Sequence, residues 1–250
     1  MSFCRLGTMS SFKQYNNVLL DGFVNNAKSR EVVDKKYDLL TKILAHDQLN
    51  SQNILFVGFS PWCLSLELDH FTITEVDHNV VDFLSSKSAN CIPADLSDLI
   101  SQGKKFDVVV AVEEYFTFAN TDEEQRNLVN DLAQLTNQLL ITTLRDYKNQ
   151  DFKDREFSQP IMIRGQNENK IYLDHYDYDL IDKNASLSRT FVINDAGSTM
   201  YGPFERRNMY FKQLAKFSID AGAKNFYVHK NLMYKSVIKK NYEHVITIKF

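Results

Sequence analysis

Two uninterrupted apolar runs of strand length limit the fold of this chain more than any other feature. They lie at Asn53–Phe59, which contains ILFVGF, and at Phe106–Val112, FDVVVAV. A strand with one wet face alternates apolar and polar side chains, whereas a run without alternation is buried on both faces. Such strands belong to parallel sheets that helices cover on both sides. The two runs therefore predict the centre of a parallel sheet.

Strand and helix patterns alternate around these two runs. The sequence predicts further strands at Phe71–Val76, Asn90–Pro93 and Gln138–Leu144. It predicts helical segments between the strands, at Ser29–Leu49, Pro61–Leu68, Asn79–Ser86, Asp95–Ile100 and Asp122–Asn137. This order is typical of βαβ units with right-handed crossovers. An open doubly wound sheet is favoured over a barrel, because a barrel needs eight such units.

The alternation stops after Leu144. A charged loop is followed by a predicted hairpin, a further strand, one helix and two final strands, at Ile161–Arg164 with Lys170–Leu173, Ser188–Asn194, Phe204–Ala221, Asn225–Tyr234 and Tyr242–Phe250. The final two strands must be antiparallel because their connection is short. The predicted fold is α/β: a doubly wound, mostly parallel seven-stranded sheet with an antiparallel last strand, helices on both faces, and a small β-rich insertion before the last helix.

The predicted organisation is one domain with two additions. Residues 1–30 are polar and form an N-terminal arm, which either packs loosely or covers the substrate. Residues 31–250 form the domain, which is long enough to bury a substantial core. Residues 145–203 form the insertion and are expected to cover a substrate.

The composition limits the cellular compartment and the classes of partner that we expect for this protein. The net charge of −3 gives no indication of nucleic acid or of an anionic membrane, although a local basic patch stays open. The three cysteines are far apart and form no CxxC pair, so neither a metal site nor a disulfide framework is indicated. No apolar run is long enough to span a bilayer. We expect a cytoplasmic protein without a membrane partner.

The turn after the first strand is the first candidate site. Gly58 ends a buried strand, where a missing side chain lets the backbone approach a ligand. Ser60 lies in the same turn, and the free N–H groups of the next helix follow it. A full G-x-G-x-x-G motif is absent. Gly58 therefore either helps to bind a ligand or only forms a tight turn.

Carboxylates follow the second and third strands. Asp77 lies roughly 20 residues after Gly58, the offset expected for a carboxylate that accepts from two ribose hydroxyls. Glu75 is the competing residue for that role, and a capping or solvated role is open for both. Asp95 ends the third strand unit, where its carboxylate either accepts from an adenine amino group or caps a helix.

Acidic and aromatic residues follow the fourth strand. Glu113, Glu114 and Tyr115 are expected at the same edge of the sheet, where they form part of a ligand pocket. Adjacent carboxylates point to opposite sides of an extended chain, so only one of the two glutamates is expected to face the site.

The insertion adds candidates for substrate binding. His175 is the candidate general base, although a histidine among tyrosines is also a common packing residue. Tyr176 lies beside it. Arg206 and Arg207 are candidates for holding an anionic group. Placed at the start of the predicted helix, their charges would oppose its dipole, which favours a functional role.

These motifs together resemble class I S-adenosylmethionine-dependent methyltransferases. The similar segments are VGFSPWC, EVDHNVV, PADLSDL, FDVVVAVEEYF and the terminal strand pair, within residues 30–145 and 204–250. The resemblance implies S-adenosylmethionine as cofactor, bound by Gly58, Ser60, Asp77, Asp95 with Leu96, and Glu113. It implies an acceptor site that includes Glu114, Tyr115, Tyr176, Arg206 and Arg207.

The resemblance implies an active methyltransferase, with a small molecule favoured as acceptor and nucleic acid left open. The alternative is a module that has lost its cofactor and serves a larger, conceivably viral, assembly. Its ground is the glycine-poor first turn with the bulky Phe59 and Trp62. A nicotinamide dehydrogenase is disfavoured by that turn and by the terminal strand pair. The sequence gives no indication of oligomeric state.

Overall fold

The computed structural model describes residues 38–45, 53–60, 71–87, 89–112, 115–145, 155–157, 160–164, 169–178, 184–229 and 243–250. The predicted arm, the predicted helix Pro61–Leu68 with Trp62, and the residues Glu113 and Glu114 lie outside the described residues.

A seven-stranded sheet forms the centre of the molecule. Its strands are β1 (Ile54–Val57), β2 (Phe71–Thr74), β3 (Asn90–Ile92), β4 (Phe106–Ala111), β5 (Thr136–Arg145), β11 (Asn225–His229) and β12 (Glu243–Lys249). They are ordered β3-β2-β1-β4-β5-β12-β11. β1 to β5 pair in parallel, and β12 is antiparallel to both of its neighbours, β5 and β11. The predicted sheet, including its antiparallel last strand, is confirmed.

The central strands are buried on both faces, as their unbroken apolar runs predict. Leu55 and Val57 of β1 contribute to one hydrophobic core, whereas Ile54 and Phe56 contribute to the core on the other side. Successive side chains of a strand point to opposite faces, so one apolar run supplies both cores.

Helices cover both faces of this sheet. α1 (described over 38–45) and α2 (His78–Ser86) pack on one face. α3 (Leu96–Ser101), α4 (Asp122–Leu135) and α5 (Phe211–Asp220) pack on the other. Among the described helices, none combines the length and the apolar character needed to cross a bilayer.

The insertion forms a second, antiparallel sheet. Its strands are β6 (Arg155–Phe157), β7 (Ile161–Arg164), β8 (Asn169–Tyr178), β9 (Ala185–Asn194) and β10 (Gly197–Arg207). The predicted pairing of Ile161–Arg164 with the following strand is confirmed. The predicted start of the last helix at Phe204 is wrong. Residues Phe204–Arg207 pair with β9, which satisfies their backbone groups, and the helix begins at Phe211.

A buried glutamine ties the insertion to the main domain. The side-chain amide of Gln125, in the first turn of α4, donates to the carbonyl oxygen of Phe116 at 3.3 Å and to that of Arg207, in β10, at 2.9 Å. Its oxygen accepts from Nε2 of Gln213 in α5 at 3.1 Å. One side chain therefore joins α4, β10 and α5.

Candidate functional site

The candidate site lies at the edge of the main sheet where the parallel strands end. In open α/β sheets this edge, outside the carboxyl ends of the strands, is where ligands bind. Gly58 follows β1 there with a backbone φ of 76°, and its N–H donates to the carbonyl oxygen of Thr74 at 2.8 Å. A positive φ of this size favours glycine. Ser60, two residues on, is buried.

The large side chain of Phe59 lies in the hydrophobic core. Its side chain is 1% exposed and belongs to the core on the side of α1 and α2. Its ring contacts the ring of Phe83 in α2 edge to face, with centroids 6.3 Å apart. The phenyl ring therefore fills space between the sheet and α2.

Glu75 connects the end of β2 to the turn after β1. Its carboxylate is 2% exposed. Oε2 accepts from the N–H of Phe59 at 2.9 Å, and Oε1 accepts from the N–H groups of Val76 at 2.8 Å and Asp77 at 3.1 Å. Three backbone donors hold the negative charge at the place where the first two strands end.

Asp77 lies two residues beyond Glu75 and caps α2. Its Oδ1 accepts from the N–H of Asn79 at 2.9 Å and from that of Val80 at 3.3 Å. A capping role was among those open for Asp77, and these contacts establish it. Whether Asp77 also contacts a ribose stays a prediction.

Asp95 and Leu96 lie after β3. Asp95 is the N-cap of α3 and forms a capping box with Asp98; its Oδ1 accepts from the N–H of Asp98 at 2.9 Å. The side chain of Leu96 is buried in the core beside α4. The contact predicted between this pair and an adenine stays a prediction.

Tyr115 begins a short 3₁₀ helix, Tyr115–Phe118, that follows β4. Its side chain is buried, and burial raises the pKa of its hydroxyl, with the charges of Asp131, Asp95 and Glu75 adding to the shift. The hydroxyl is therefore neutral at physiological pH. Asp95 and Glu75 follow β3 and β2, whereas Asp131 lies in α4, and the Tyr115 side chain belongs to the hydrophobic core on that side of the sheet.

A thiol near the crevice is protonated. Cys91 lies in β3, and burial together with the charge of Glu75 raises its pKa to about 11. A thiol with this pKa carries almost no thiolate at neutral pH, so it is a poor nucleophile.

One face of the insertion sheet, the inner face, meets the edge of the main sheet. Tyr176 of β8 lies on it, with its hydroxyl 3.4 Å from Nη2 of Arg145, the last residue of β5. The Arg145 guanidinium also lies 4.9 Å from the centroid of the Tyr176 ring. The ring of Tyr178 stacks beside that of Tyr176, as expected for alternate residues of one strand.

Arg206 of β10 also lies on the inner face. It is 7% exposed, and its guanidinium lies 3.7 Å from the centroid of the Phe118 ring. Its Nε donates to Oγ of Ser188 at 3.2 Å, and its Nη1 donates to Oγ1 of Thr117 at 3.1 Å. These contacts join β10 and β9 to the 3₁₀ helix after β4.

Arg207 points elsewhere. Its Nε donates to Oδ1 of Asp122 at 2.7 Å, at the N-terminus of α4. The pair of arginines is therefore split, because neighbouring residues of a strand face opposite ways. The predicted opposition between their charges and a helix dipole is wrong, since both residues are in a strand.

His175 lies on the opposite face, the outer face of the insertion sheet. Its ring contacts that of Phe157, which is 59% exposed, with centroids 4.5 Å apart. Its Nε2 is 3.6 Å from Oδ1 of Asp177, and Asp177 in turn accepts from Arg189. His175 therefore does not share a face with Tyr176, and its predicted role as general base stays a prediction.

A cavity of about 390 Å³ opens at the end of the insertion sheet. Its wall includes Asn120, Tyr178, Ser186, Arg206 and Arg207. Within the described part of the chain, no three His, Cys, Asp or Glu residues are grouped so that they could hold a metal ion.

Arg145, Thr117 and Phe118 are the site-edge residues that sequence reasoning missed. Arg145 was assigned to a charged loop, whereas it ends β5. The signal was available for it, because the residue that ends a parallel strand lies at the ligand edge. No sequence pattern marks Thr117 and Phe118 as site residues, because they reach the site edge only through their contacts with Arg206.

Several solved structures with a similar fold are methyltransferases. The CcbJ methyltransferase from Streptomyces caelestis superposes with a TM-score of 0.64 at 14% identity, covering 86% of this chain and 88% of that one. A sugar N-methyltransferase from Streptoalloteichus gives 0.66 at 12% identity, with 87% of each chain covered. An amino pentose methyltransferase from Micromonospora echinaspora, solved with S-adenosylmethionine bound, gives 0.60 at 12% identity, with 90% of each chain covered.

These likenesses show the fold, which is the α/β fold of class I S-adenosylmethionine-dependent methyltransferases. They extend into the insertion, because 86% or more of the chain is covered. No protein-family model and no curated protein matches the sequence.

Proposed function

We propose that this protein transfers a methyl group from S-adenosylmethionine to a small-molecule acceptor. The observation that carries the proposal is the buried Glu75 carboxylate, which binds the N–H of Phe59 in the turn after Gly58. The turn and the strand-end carboxylate therefore meet at the ligand-binding edge of a sheet that has the methyltransferase fold. The cofactor supplies an activated methyl group, so the protein needs mainly to bind and position both reactants.

The residues at this edge fit such a cofactor. Gly58 has a positive φ and no side chain, so its backbone could approach a ligand closely, and a carboxylate at the end of β2 can accept from a ribose hydroxyl. We assign the ribose to Glu75 in preference to Asp77, because the Glu75 carboxylate lies against the turn after β1, whereas the Asp77 carboxylate accepts from the first turn of α2. Ser60, Asp95 with Leu96, and Glu113 complete the proposed cofactor site.

The acceptor would lie between the edge of the main sheet and the inner face of the insertion. Tyr115, Tyr176 and Arg206 are the described residues proposed to contact it, and Glu114 is proposed beside them. Their aromatic and hydrogen-bonding groups suit a polar small molecule, and the net charge of −3 does not attract nucleic acid. The likeness to sugar and amino pentose methyltransferases supports a polyhydroxylated acceptor.

Two features of the chain shape the chemistry. The neutral Tyr115 hydroxyl is able to donate or accept a hydrogen bond without adding charge. The insertion, which contacts between Arg145 and Tyr176 and between Thr117 and Arg206 hold against this edge, would exclude water and hold the acceptor in line with the methyl group. In this proposal catalysis comes from positioning, and His175 acts through packing on the outer face.

The competing proposal is a module without cofactor, and the position of Phe59 weakens one of the grounds for it. It requires side chains that fill the crevice, but the Phe59 ring packs against Phe83 between the sheet and α2. No described residue therefore supports a crevice filled by the first turn.

A labelled-methyl assay tests the proposal. The full chain is incubated with S-adenosylmethionine labelled in its methyl group and with separate panels of amino sugars, small carboxylates and RNA. We expect transfer to a member of the small-molecule panels, and its loss in a Gly58→Val variant, since a β-branched residue does not adopt a φ of 76° without strain. Transfer to RNA alone would contradict the proposed acceptor. Absence of S-adenosylhomocysteine binding in the same preparation would contradict the proposed cofactor.

A further inference from the structure

One buried amide side chain connects the two segments that carry proposed acceptor contacts. Gln125 of α4 is 0% exposed. Its Nε2 donates to the carbonyl oxygen of Phe116, in the 3₁₀ helix that begins at Tyr115, and to that of Arg207, at the end of β10. The first carbonyl belongs to the main domain and the second to the insertion. A single NH₂ group therefore bridges the two parts of the molecule.

The surrounding groups fix the orientation of this amide. A carboxamide has two N–H donors and one acceptor oxygen. Both donors of Gln125 meet carbonyl oxygens, which only accept, at 3.3 and 2.9 Å. Its Oε1 accepts from Nε2 of Gln213 in α5 at 3.1 Å. The reversed orientation would place oxygen against both carbonyl oxygens, so the amide has one arrangement, and that arrangement sets the spacing between the 3₁₀ helix and β10.

An apolar side chain would fill this position without needing any partner. Burying an amide is unfavourable unless hydrogen bonds compensate for the lost water, and a methionine of similar length carries no such cost. A fully satisfied buried polar network instead makes the groups around it rigid and specifies one arrangement of them. The gain from Gln125 is therefore a defined position of the insertion relative to the main domain.

Both bridged segments carry residues proposed to contact the acceptor. Tyr115 begins the 3₁₀ helix, and Arg206 directly precedes the residue of β10 that Gln125 holds. Arg206 also donates to Oγ1 of Thr117 in the same 3₁₀ helix at 3.1 Å. The position of these segments relative to each other matters for catalysis, because a misplacement of about 1 Å can lower a rate about a hundredfold.

We propose that Gln125 is a positioning residue for the methyl acceptor, which keeps the insertion at a fixed distance from the 3₁₀ helix after β4. This inference rests on the proposed function, because it requires both segments to contact the acceptor. Gln125 is fully buried, so it acts through the backbone of Phe116 and Arg207. Its removal affects the acceptor and leaves unchanged the affinity for the cofactor, whose proposed site lies at the ends of β1, β2 and β3.

The test compares the full-length wild type with Gln125→Met and with a control variant, Leu84→Ala. Leu84 is buried in the core on the side of α1 and α2. Leu84→Ala leaves a cavity there and lowers the global stability without touching either bridged segment. All three proteins are saturated with S-adenosylhomocysteine and studied at a temperature at which each is folded.

The first readout is the hydrogen exchange of two backbone N–H groups, resolved by NMR. Ala119 donates to the carbonyl oxygen of Phe116 at 3.3 Å, and Asn208 donates to that of Asn184 at 2.6 Å. These amides report on the two segments that Gln125 bridges. We expect both to exchange about ten- to a hundredfold faster in Gln125→Met than in the control variant, because hydrogen bonds that oppose local opening are lost.

The second readout is the kinetics of methyl transfer. The acceptor is the member of the small-molecule panels that wild type methylates fastest in the labelled-methyl assay. Gln125→Met should lower kcat/KM for this acceptor by about ten- to a hundredfold and keep the wild-type affinity for S-adenosylhomocysteine. Folded Leu84→Ala should keep both values.

A purely structural role for Gln125 predicts a different result. The two amides would then exchange equally fast in Gln125→Met and Leu84→Ala, or folded Gln125→Met would keep the kcat/KM of wild type, and either result overturns the proposal. If Gln125→Met does not fold, Gln125→Asn takes its place under the same criteria, since its amide is withdrawn from both carbonyl oxygens by about 1.5 Å, one C–C bond. Equal exchange in a protein that binds S-adenosylhomocysteine overturns this inference alone. Failure of wild type to bind S-adenosylhomocysteine overturns the proposed function itself.

Discussion

Replacing Glu75 by Gln tests the residue on which the proposed cofactor site depends. The substitution keeps size and shape but leaves one oxygen where the carboxylate has two. That carboxylate accepts three backbone N–H groups, at 2.8, 2.9 and 3.1 Å. Whichever way the amide is oriented, its NH₂ group faces at least one of these donors. Because Oε1 accepts two bonds and Oε2 accepts one, the less damaging orientation sacrifices the bond to Phe59.

The magnitude follows from that loss. A hydrogen bond to a charged group contributes about 1.5–3 kcal/mol, and a buried donor left unsatisfied costs about 1–3 kcal/mol. We expect Glu75→Gln to lower the free energy of unfolding by about 2–4 kcal/mol, measured by urea denaturation. We also expect the affinity for S-adenosylhomocysteine, measured by calorimetry on folded protein, to fall by about ten- to a hundredfold, because a ribose acceptor is lost.

Asp77→Asn is the matched control for this experiment. It removes the same single charge two residues away, and Asn caps helices about as well as Asp. We therefore expect it to change stability and affinity little. The reasoning is refuted if Asp77→Asn weakens S-adenosylhomocysteine binding as much as Glu75→Gln does, or if Glu75→Gln leaves the affinity of wild type. The first result would return the ribose to Asp77.

Three further predictions concern the parts that hold the site together. Gln125→Leu should destabilise the protein by about 2–4 kcal/mol in urea denaturation, because it leaves buried carbonyl groups without a donor. Gln134→Leu, at an exposed position of the same helix, should have little effect on stability. Equal effects of the two substitutions would contradict the role of Gln125. Asp95→Ala should cost about 1 kcal/mol of stability by removing the cap of α3, and no measurable loss would contradict the capping assignment. The Asp177 carboxyl has a lowered pKa in the folded state, so its contribution is present above its unfolded pKa of about 3.9 and is lost as pH falls below that value. Wild type should therefore be more stable than Asp177→Asn at pH 6, with the difference shrinking between pH 4 and 2; a difference independent of pH would contradict this.

The main sheet could be predicted from the sequence because its signals are local and redundant. The runs at β1 and β4 are apolar without alternation, which only a strand buried on both faces requires. The antiparallel β12 follows from two strands joined by a short connection. Neither inference depends on knowing what packs against what.

The end of the insertion could not be predicted in the same way. Phe204–Arg207 is compatible with the first turn of a helix, and it becomes a strand because β9 supplies partners for its backbone. The sequence predicts only part of β9, so the partner that makes Phe204–Arg207 a strand could not be identified from the sequence alone. The faces of β8 were also ambiguous: alternation predicts that His175 and Tyr176 point apart, but which one meets the main sheet depends on Arg145.

The choice between Glu75 and Asp77 shows where sequence reasoning reaches its limit within the site. Spacing from Gly58 selects a short range of residues and does not separate positions two apart on the same face of the chain. The structure separates them by hydrogen bonds: Glu75 accepts from the turn after β1, and Asp77 accepts from the first turn of α2.

A crystal structure of the full chain with S-adenosylhomocysteine tests the central claim most directly. We expect a nucleoside in the crevice at the carboxyl ends of β1 and β2, with a ribose hydroxyl within hydrogen-bond distance of the Glu75 carboxylate and the adenine beside Asp95 and Leu96. Ligand density at another place, or a crevice filled by side chains at saturating ligand, would contradict it.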